Sequence, residues 1–153
     1  MTDFHHNIFH YYRGAQRPGQ NRDQQLEDNT TKALINTLEH CDPTVVLKFL
    51  DWLGIAATGQ VRFELQKTTI STGEIRSRSH RLLLGLVPSK GARDPCAELD
   101  KTVTEKKDGR PDAWLYGDDF IVLLESKVVG SLELDQMQRH FQKLQVGTEQ
   151  QPR

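Results

Sequence analysis

The stretch RPDAWLYGDDFIVLLESKV, residues 110–128, constrains the fold of this chain more than any other segment. It contains two apolar runs, DAWLY and FIVLLESKV, separated by GDD, which is typical of a tight turn between antiparallel strands. We therefore predict a β-hairpin. In that pairing Asp112 lies beside Glu125 and Lys127, which share one face of the second strand while Ser126 points to the other. Three charged groups then meet at one end of an apolar strand pair.

The other segments predict helices packed on a small sheet. Amphipathic or capped patterns favour helices over residues 23–40, 44–55 and 132–146. Alternation over 60–68 and an apolar run over 80–88 favour two further strands. Turn-forming residues predict loops over 68–79 and 88–110, the second with one helical turn at 96–99. This order predicts an α+β fold, arranged like an α/β/α sandwich around a mixed sheet of about four strands.

Composition limits the classes of function. We predict one domain over residues 23–146, preceded by an aromatic and loop-forming segment (1–22) and followed by a flexible tail (147–153). The formal net charge of −1 excludes a bulk positive field, so nucleic-acid binding would need a local basic patch. No apolar run approaches the roughly 18 residues of a membrane span, and the N-terminus has no signal-peptide pattern. We expect a cytoplasmic protein with no membrane partner.

The charged end of the hairpin suggests a particular chemistry. Two carboxylates, Asp112 and Glu125, repel each other unless a cation lies between them. Mg²⁺ takes oxygen ligands and commonly uses one or two carboxylates together with water or phosphate. Lys127 beside such a cation would orient or deprotonate an attacking water, or stabilise charge on a phosphate. The plainer interpretation, a strand start and a solvated ion pair, does not explain why these residues follow so apolar a run.

Pro111-Asp112, followed on the next strand by Glu125-Ser126-Lys127, resembles the motif of the PD-(D/E)xK nuclease superfamily, with its restriction-endonuclease-like core. Restriction endonucleases, Holliday-junction resolvases and repair exonucleases belong to it. The resemblance implies Mg²⁺- or Mn²⁺-dependent hydrolysis of phosphodiesters, DNA above all, in DNA repair or anti-phage defence. It implies that Asp112 and Glu125 bind the metal, and that Lys127 positions the water or stabilises the transition state.

The resemblance extends through the order of elements from about residue 23 to residue 146. It implies supporting roles for Glu27 in the first long helix and Gln136 in the last. His140, one turn after Gln136, lies where related nucleases often have a tyrosine. The family core ends in a fourth strand, and only GTEQQPR follows the last helix. The resemblance therefore implies a sheet that lacks its last strand, or one completed by a homodimer partner or a further C-terminal region.

The densest basic cluster lies in GEIRSRSHR, which holds Arg76, Arg78, His80 and Arg81, with Glu74 as its one acid. A solvated turn and a set of phosphate contacts explain it equally well. Under the nuclease hypothesis, we predict that Arg76, Arg78 and Arg81, together with His140, contact nucleic acid.

Two alternatives stay open at this point. The first is a catalytically inactive module that keeps the nuclease fold and binds nucleic acid or protein. The second concerns His5, His6 and His10, where a zinc site competes with simple packing of the aromatic residues around them. We favour packing, because no cysteine with ligand spacing lies near these histidines.

Overall fold

The computed structural model describes residues 22–88, 109–128 and 130–145. The predicted helical turn at 96–99, the three N-terminal histidines and the tail at 147–153 lie outside the described residues. Within the described part of the chain, no helix has both the length and the apolar character needed to cross a membrane.

The described residues form helices and strands in the order α, α, β, α, β, β, β, α. Their bounds are α1 (Arg22–His40), α2 (Pro43–Trp52), β1 (Arg62–Leu65), α3 (Thr72–Arg76), β2 (His80–Leu86), β3 (Ala113–Tyr116), β4 (Phe120–Ser126) and α4 (Leu134–Gln145). All four predicted strands and the three predicted helices are confirmed.

One helix, α3, lies in a segment that was predicted to be a loop. Ser71 caps it: its hydroxyl accepts a hydrogen bond from the Glu74 N–H at 3.2 Å, and the Glu74 carboxylate accepts one from the Ser71 N–H at 3.2 Å. This reciprocal pair is a capping box, which satisfies two backbone donors that a helix start leaves free. The prediction of a loop is wrong because the S-x-x-E capping box stabilises a helix start despite the turn-forming composition of the segment.

The four strands form one mixed sheet in the order β1-β3-β4-β2. β3 pairs antiparallel with both β1 and β4, which confirms the hairpin, and β2 pairs in parallel with β4. This sheet confirms the predicted α+β class. β2, which precedes the hairpin in the chain, forms the edge of the sheet beside β4.

Helices cover both faces of the sheet. On one face, α1 and α2 pack against alternate hairpin residues, with Ile35 and Leu50 contacting Leu115 and their neighbours in one buried cluster. On the other face, Ile75 of α3 and Leu144 of α4 belong to a second cluster. Because β4 is buried on both faces, its sequence is a continuous apolar run instead of an alternating one. The result is the predicted α/β/α layering, with the charged residues at the end of the most buried strand.

The turn of the hairpin offers a test of this packing. Gly117 donates its N–H to the Phe120 carbonyl at 3.1 Å, and a Cβ at Gly117 would overlap the Phe120 ring, which is fully buried. We expect Gly117→Ala to lower the free energy of unfolding by about 1–3 kcal/mol, because the ring has no space to move into. Urea unfolding measures it. The control is Gly73→Ala, whose Cβ meets nothing within 4 Å; equal losses in both variants would contradict the packing argument.

Candidate active site

The hairpin register brings Asp112 to the end of β4. Ala113 pairs with Leu124, so Asp112 lies at the next position, level with Glu125 and Ser126. The Asp112 Oδ2 atom accepts hydrogen bonds from the Ser126 N–H at 2.8 Å and from the Ser126 hydroxyl at 3.1 Å. The Ser126 hydroxyl also contacts the buried hydroxyl of Thr31 on α1. Asp112 is therefore fixed through one oxygen, while Oδ1 has no hydrogen-bond partner among the described residues.

The Glu125 side chain lies on the face of β4 opposite to that of Ser126, and residues of α4 hold it in place. Its side chain is 2% exposed. Gln136 donates a hydrogen bond from Nε2 to Oε1, and the His140 Nε2 lies 3.0 Å from Oε2. Gln136 and His140 are one helical turn apart, so both reach the same carboxylate from one face of α4. Each oxygen of Glu125 therefore has its own partner, and the plane of the carboxylate is fixed.

Lys127 lies between two carboxylates just beyond β4. Its Nζ is 3.3 Å from Glu27 Oε2 and 3.7 Å from Glu125 Oε1, and its side chain is 21% exposed. The other oxygen of Glu27 accepts the Val128 N–H at 3.3 Å. Glu27 on α1 thus anchors both the backbone and the ammonium group of the segment that follows the strand. These contacts bring together Glu27, Asp112, Glu125 and Lys127, which we call the active-site cluster.

Two further residues, Asp28 and Gln66, adjoin the cluster, and neither is among the predicted site residues. Asp28, next to Glu27 on α1, accepts a hydrogen bond from the Gln66 side-chain amide at 3.0 Å. Gln66 follows β1 with a φ of 50°, which is unusual for a residue other than glycine, and its N–H donates to the Asp112 carbonyl at 2.9 Å. Residues in such sparsely populated conformations are concentrated at functional sites. Gln66 thereby links Asp28 to the backbone of Asp112.

The pKa values of these groups reflect their crowding. Burial, and after it the Glu125 carboxylate, raises the pKa of Asp112 from 3.8 to about 6, against the opposing hydrogen bonds from Ser126. Burial also raises the pKa of Asp28; Glu27 adds to this rise, whereas Arg110 opposes it. The cluster therefore holds more negative charge than its own cations neutralise.

For Lys127, burial alone would lower the pKa. The carboxylates of Glu27 and Glu125 outweigh burial, and the pKa of Lys127 is raised above its ordinary value. Lys127 is therefore a cation at neutral pH, held between two anions. In that state its ammonium is a hydrogen-bond donor and a positive charge, and it has no free lone pair with which to accept a proton.

The donor set fits a hard divalent cation. Asp112 Oδ1 is open, and Glu125, with three contacts to its two oxygens, keeps acceptor capacity for one more. Among the described residues, no three His, Cys, Asp or Glu side chains already converge on one point. A cation would thus be held by two carboxylates and completed by water and phosphate oxygens, which is the usual mode for Mg²⁺. Asp112 and Glu125 are the residues that would hold it.

The structure brings six of the predicted site residues together and leaves three apart. Asp112, Glu125, Lys127, Glu27, Gln136 and His140 all take part in the contacts described above. Arg76 ends α3, Arg78 follows it, and Arg81 is the second residue of β2. β2 begins beside Phe120 at the start of β4, whereas the cluster lies at the other end of β4.

The prediction for His140 needs a correction. It was predicted to contact nucleic acid, but its side chain is 0% exposed and its Nε2 faces Glu125. The helical spacing with Gln136 correctly indicated one shared face, and that face is turned toward the sheet. His140 therefore positions Glu125 instead of contacting nucleic acid.

Comparison of the chain with protein-family models, with curated proteins and with solved structures gives no match.

Proposed function

We propose that this protein is a metal-dependent nuclease that hydrolyses phosphodiester bonds, with DNA as the substrate. The observation that carries the proposal is the active-site cluster itself. An ammonium group lies between two carboxylates at the end of a fully buried strand, and a third carboxylate with a raised pKa lies beside them. Burial of like charges is costly, and proteins keep such arrangements at sites of chemistry. The resemblance of Pro111-Asp112 and Glu125-Ser126-Lys127 to PD-(D/E)xK nucleases supports the same proposal.

Asp112 and Glu125 would hold a divalent cation, Mg²⁺ or Mn²⁺. When bound, such a cation lowers the pKa of a coordinated water and neutralises charge on phosphate oxygens. Glu125 is suited to this role because Gln136 and His140 fix its carboxylate. Asp112 is suited because Ser126 fixes one oxygen and leaves the other open. The protein thus supplies two oriented ligands with little freedom to lose on binding.

Lys127 would act as a cation. Its ammonium is held by Glu27 and Glu125 at the open side of the cluster and is partly exposed. From there the ammonium would orient the attacking water by donating a hydrogen bond to the water oxygen. It would also stabilise the negative charge that develops on the phosphate. The raised pKa of Lys127 favours this role over that of a general base. Glu27 is a positioning residue, since it acts through Lys127.

A digest of linear, circular and single-stranded DNA tests the proposal. We expect cleavage in Mg²⁺ or Mn²⁺ and none in EDTA. Glu125→Gln, which keeps the shape of the side chain and removes its charge, should abolish both cleavage and the heat of Mg²⁺ binding in calorimetry. The control is Glu64→Gln, since Glu64 lies on β1 and pairs with the exposed Lys67. A parental protein that neither binds Mg²⁺ nor cleaves any of these substrates would contradict the proposal and favour an inactive binding module.

The same assay, run across pH, tests the role of Asp112. Its pKa is raised to about 6, so below that pH the carboxyl is protonated and does not bind the cation. We expect kcat/KM to fall as the pH drops through about 6. Because protons and Mg²⁺ compete for Asp112, tenfold more Mg²⁺ should move this acid limb down by up to about one pH unit. An acid limb that does not respond to Mg²⁺ would assign the titration to a group outside the metal site.

A further inference from the structure

A second feature of the described surface lies at the other end of the sheet from the active-site cluster. It is a depression of about 510 Å³ at the turn between α3 and β2, next to the end of α4. The described residues that line it are Arg76, Ser77, Arg78, Ser79, Arg81 and Gln145. Three of these are arginines and none is acidic. We call this depression the distal arginine pocket.

Two of the three guanidinium groups are held in place by neutral partners. Arg78 donates to the Ser77 hydroxyl at 2.8 Å and to the Asp118 carbonyl at 2.9 Å. Arg81 donates to the carbonyls of Leu144 at 3.0 Å and Arg78 at 3.2 Å. Carbonyl and hydroxyl oxygens orient a guanidinium group without cancelling its charge. The pocket therefore keeps a fixed positive charge, and the exposed Arg76 adds to it.

Acidic residues adjoin this region from outside the lining: Arg78 and Ser79 donate to the backbone carbonyls of Asp118 and Asp119 in the hairpin turn, and Glu74 lies on α3. Hydrogen bonds from the hydroxyl and N–H of Ser71, and after them the charge of Arg78, lower the pKa of Glu74. The Glu74 carboxylate is therefore held by Ser71. Like charges that share one depression repel, and an anion that enters removes the repulsion. The planar fork of a guanidinium group matches two oxygens of a phosphate. The lining is therefore suited to a phosphate group.

The position of the pocket relates it to the cluster. The parallel register of β2 and β4 runs from His80 and Phe120 at the pocket end to Leu86 and Ser126 at the cluster end. Six steps along a strand correspond to about 20 Å. Along a DNA duplex, with one base pair per roughly 3.4 Å, the same distance corresponds to about six base pairs.

We propose that the distal arginine pocket binds the sugar-phosphate backbone of the nucleic-acid substrate, about six base pairs from the bond that is cleaved. The proposal rests on the nuclease function proposed above, and adds to it a minimum length of substrate. A duplex that spans both sites gains contacts with the arginines. A duplex too short to span them binds at the cluster alone. Because the net charge of the chain is near zero, such a local contact would contribute much of the salt-dependent affinity.

Fluorescence anisotropy tests the proposal with labelled hairpin DNAs whose duplex stems are of about 5 and about 16 base pairs. The measurements use Mg²⁺ and a Lys127→Met background, so that binding is read without loss of substrate. Arg76→Glu is the test variant, because Arg76 is exposed at the end of α3 and we expect its replacement to leave the fold intact. Lys48→Glu is the matched control, because Lys48 is an exposed basic residue on α2.

We expect Arg76→Glu to weaken binding of the long duplex about tenfold and to leave the short duplex within about twofold. Its salt dependence for the long duplex should fall by about one counterion. Arg81→Lys, which keeps the charge and loses the planar fork, should weaken the long duplex severalfold. Equal losses on both duplexes, or an equal loss in Lys48→Glu, would overturn the proposal, as would no binding of the long duplex.

Failure of the nuclease function is read separately. It appears as absence of Mg²⁺-dependent cleavage by the parental protein. Failure of the pocket appears as binding that does not depend on duplex length or on Arg76. Length-dependent binding that is lost in Arg76→Glu would support the pocket even if no substrate were cleaved.

Discussion

Asp112→Asn is expected to abolish hydrolysis and, at neutral pH without metal, to raise the melting temperature. Burial and the Glu125 carboxylate raise the pKa of Asp112 to about 6, so the folded chain takes up a proton there more readily than the unfolded chain. The ionised form therefore destabilises the fold: this penalty is absent below about pH 4, grows as the pH rises, and is complete above about pH 6. Allowing for solvent screening of a partly exposed group, it is about 2 kcal/mol, or about 4–8 °C. Asparagine carries no such charge.

Thermal melts at neutral pH and near pH 4, with and without Mg²⁺, measure this effect. The advantage of the variant should be present at neutral pH and disappear near pH 4. Mg²⁺ should stabilise the parental protein and leave the variant unchanged, because a ligand that binds only the folded state raises its stability. Asp118→Asn is the control, since Asp118 is exposed in the hairpin turn. If Asp112→Asn melted below the parental protein at neutral pH without metal, Asp112 would be a structural residue.

The hairpin and its charged end were predictable from the sequence because their determinants are local. The turn GDD fixes which strand residues face one another, and the period of two fixes which side chains share a face. Asp112 was therefore placed correctly beside the end of β4. The same period predicted Glu125 on the face opposite Ser126, which the structure confirms through their partners on α4 and α1. Local rules suffice where the interacting residues belong to one supersecondary unit.

The rest of the cluster depends on packing between distant segments. Thr31 meets Ser126 across 95 residues, and Gln66 meets Asp28 across 38. Neither periodicity nor composition specifies where along the sheet α1 packs. The packing position of α1 decides which polar residues of the helix reach β4. The positive φ of Gln66 likewise cannot be predicted from the sequence, because glutamine has no preference for that conformation. The only feature of the sequence that points to Asp28 is its position next to Glu27. That position does not predict which of these two residues faces the sheet.

The case of His140 shows how burial reverses an assignment. Its place one turn after Gln136, where related nucleases often have a tyrosine, favours a nucleic-acid contact for His140. The apolar residues of α4, such as Met137 and Leu144, lie on the same side as His140, and all three are buried. A polar residue on an apolar helical face needs a buried partner, and Glu125 is that partner. The apolar face of α4 on which His140 lies therefore favours a positioning role for this residue.

Lys127→Met is expected to lower kcat by about 10²–10⁴-fold while Mg²⁺ binding persists or tightens. Methionine keeps much of the volume and removes the ammonium, which lies 3.3 Å from Glu27 and 3.7 Å from Glu125. Without that charge, the site is more negative and attracts a divalent cation at least as strongly. The hydrolysis step loses the group that stabilises the phosphate. Calorimetry with Mg²⁺ and single-turnover cleavage separate these two effects.

The same substitution should destabilise the metal-free fold by about 1–3 kcal/mol, because it leaves two largely buried carboxylates without their cation. Glu27→Gln combined with Lys127→Met removes one of these carboxylates and should recover most of that stability without recovering cleavage. The matched control is Lys67→Met, which breaks an ion pair of 2.9 Å with Glu64 that is 46% and 37% exposed. Such exposed pairs contribute about 0–1 kcal/mol, so this variant should keep both stability and activity. If the double variant regained cleavage together with stability, Lys127 would be a structural counter-ion, and the chemistry would have to come from the carboxylates alone.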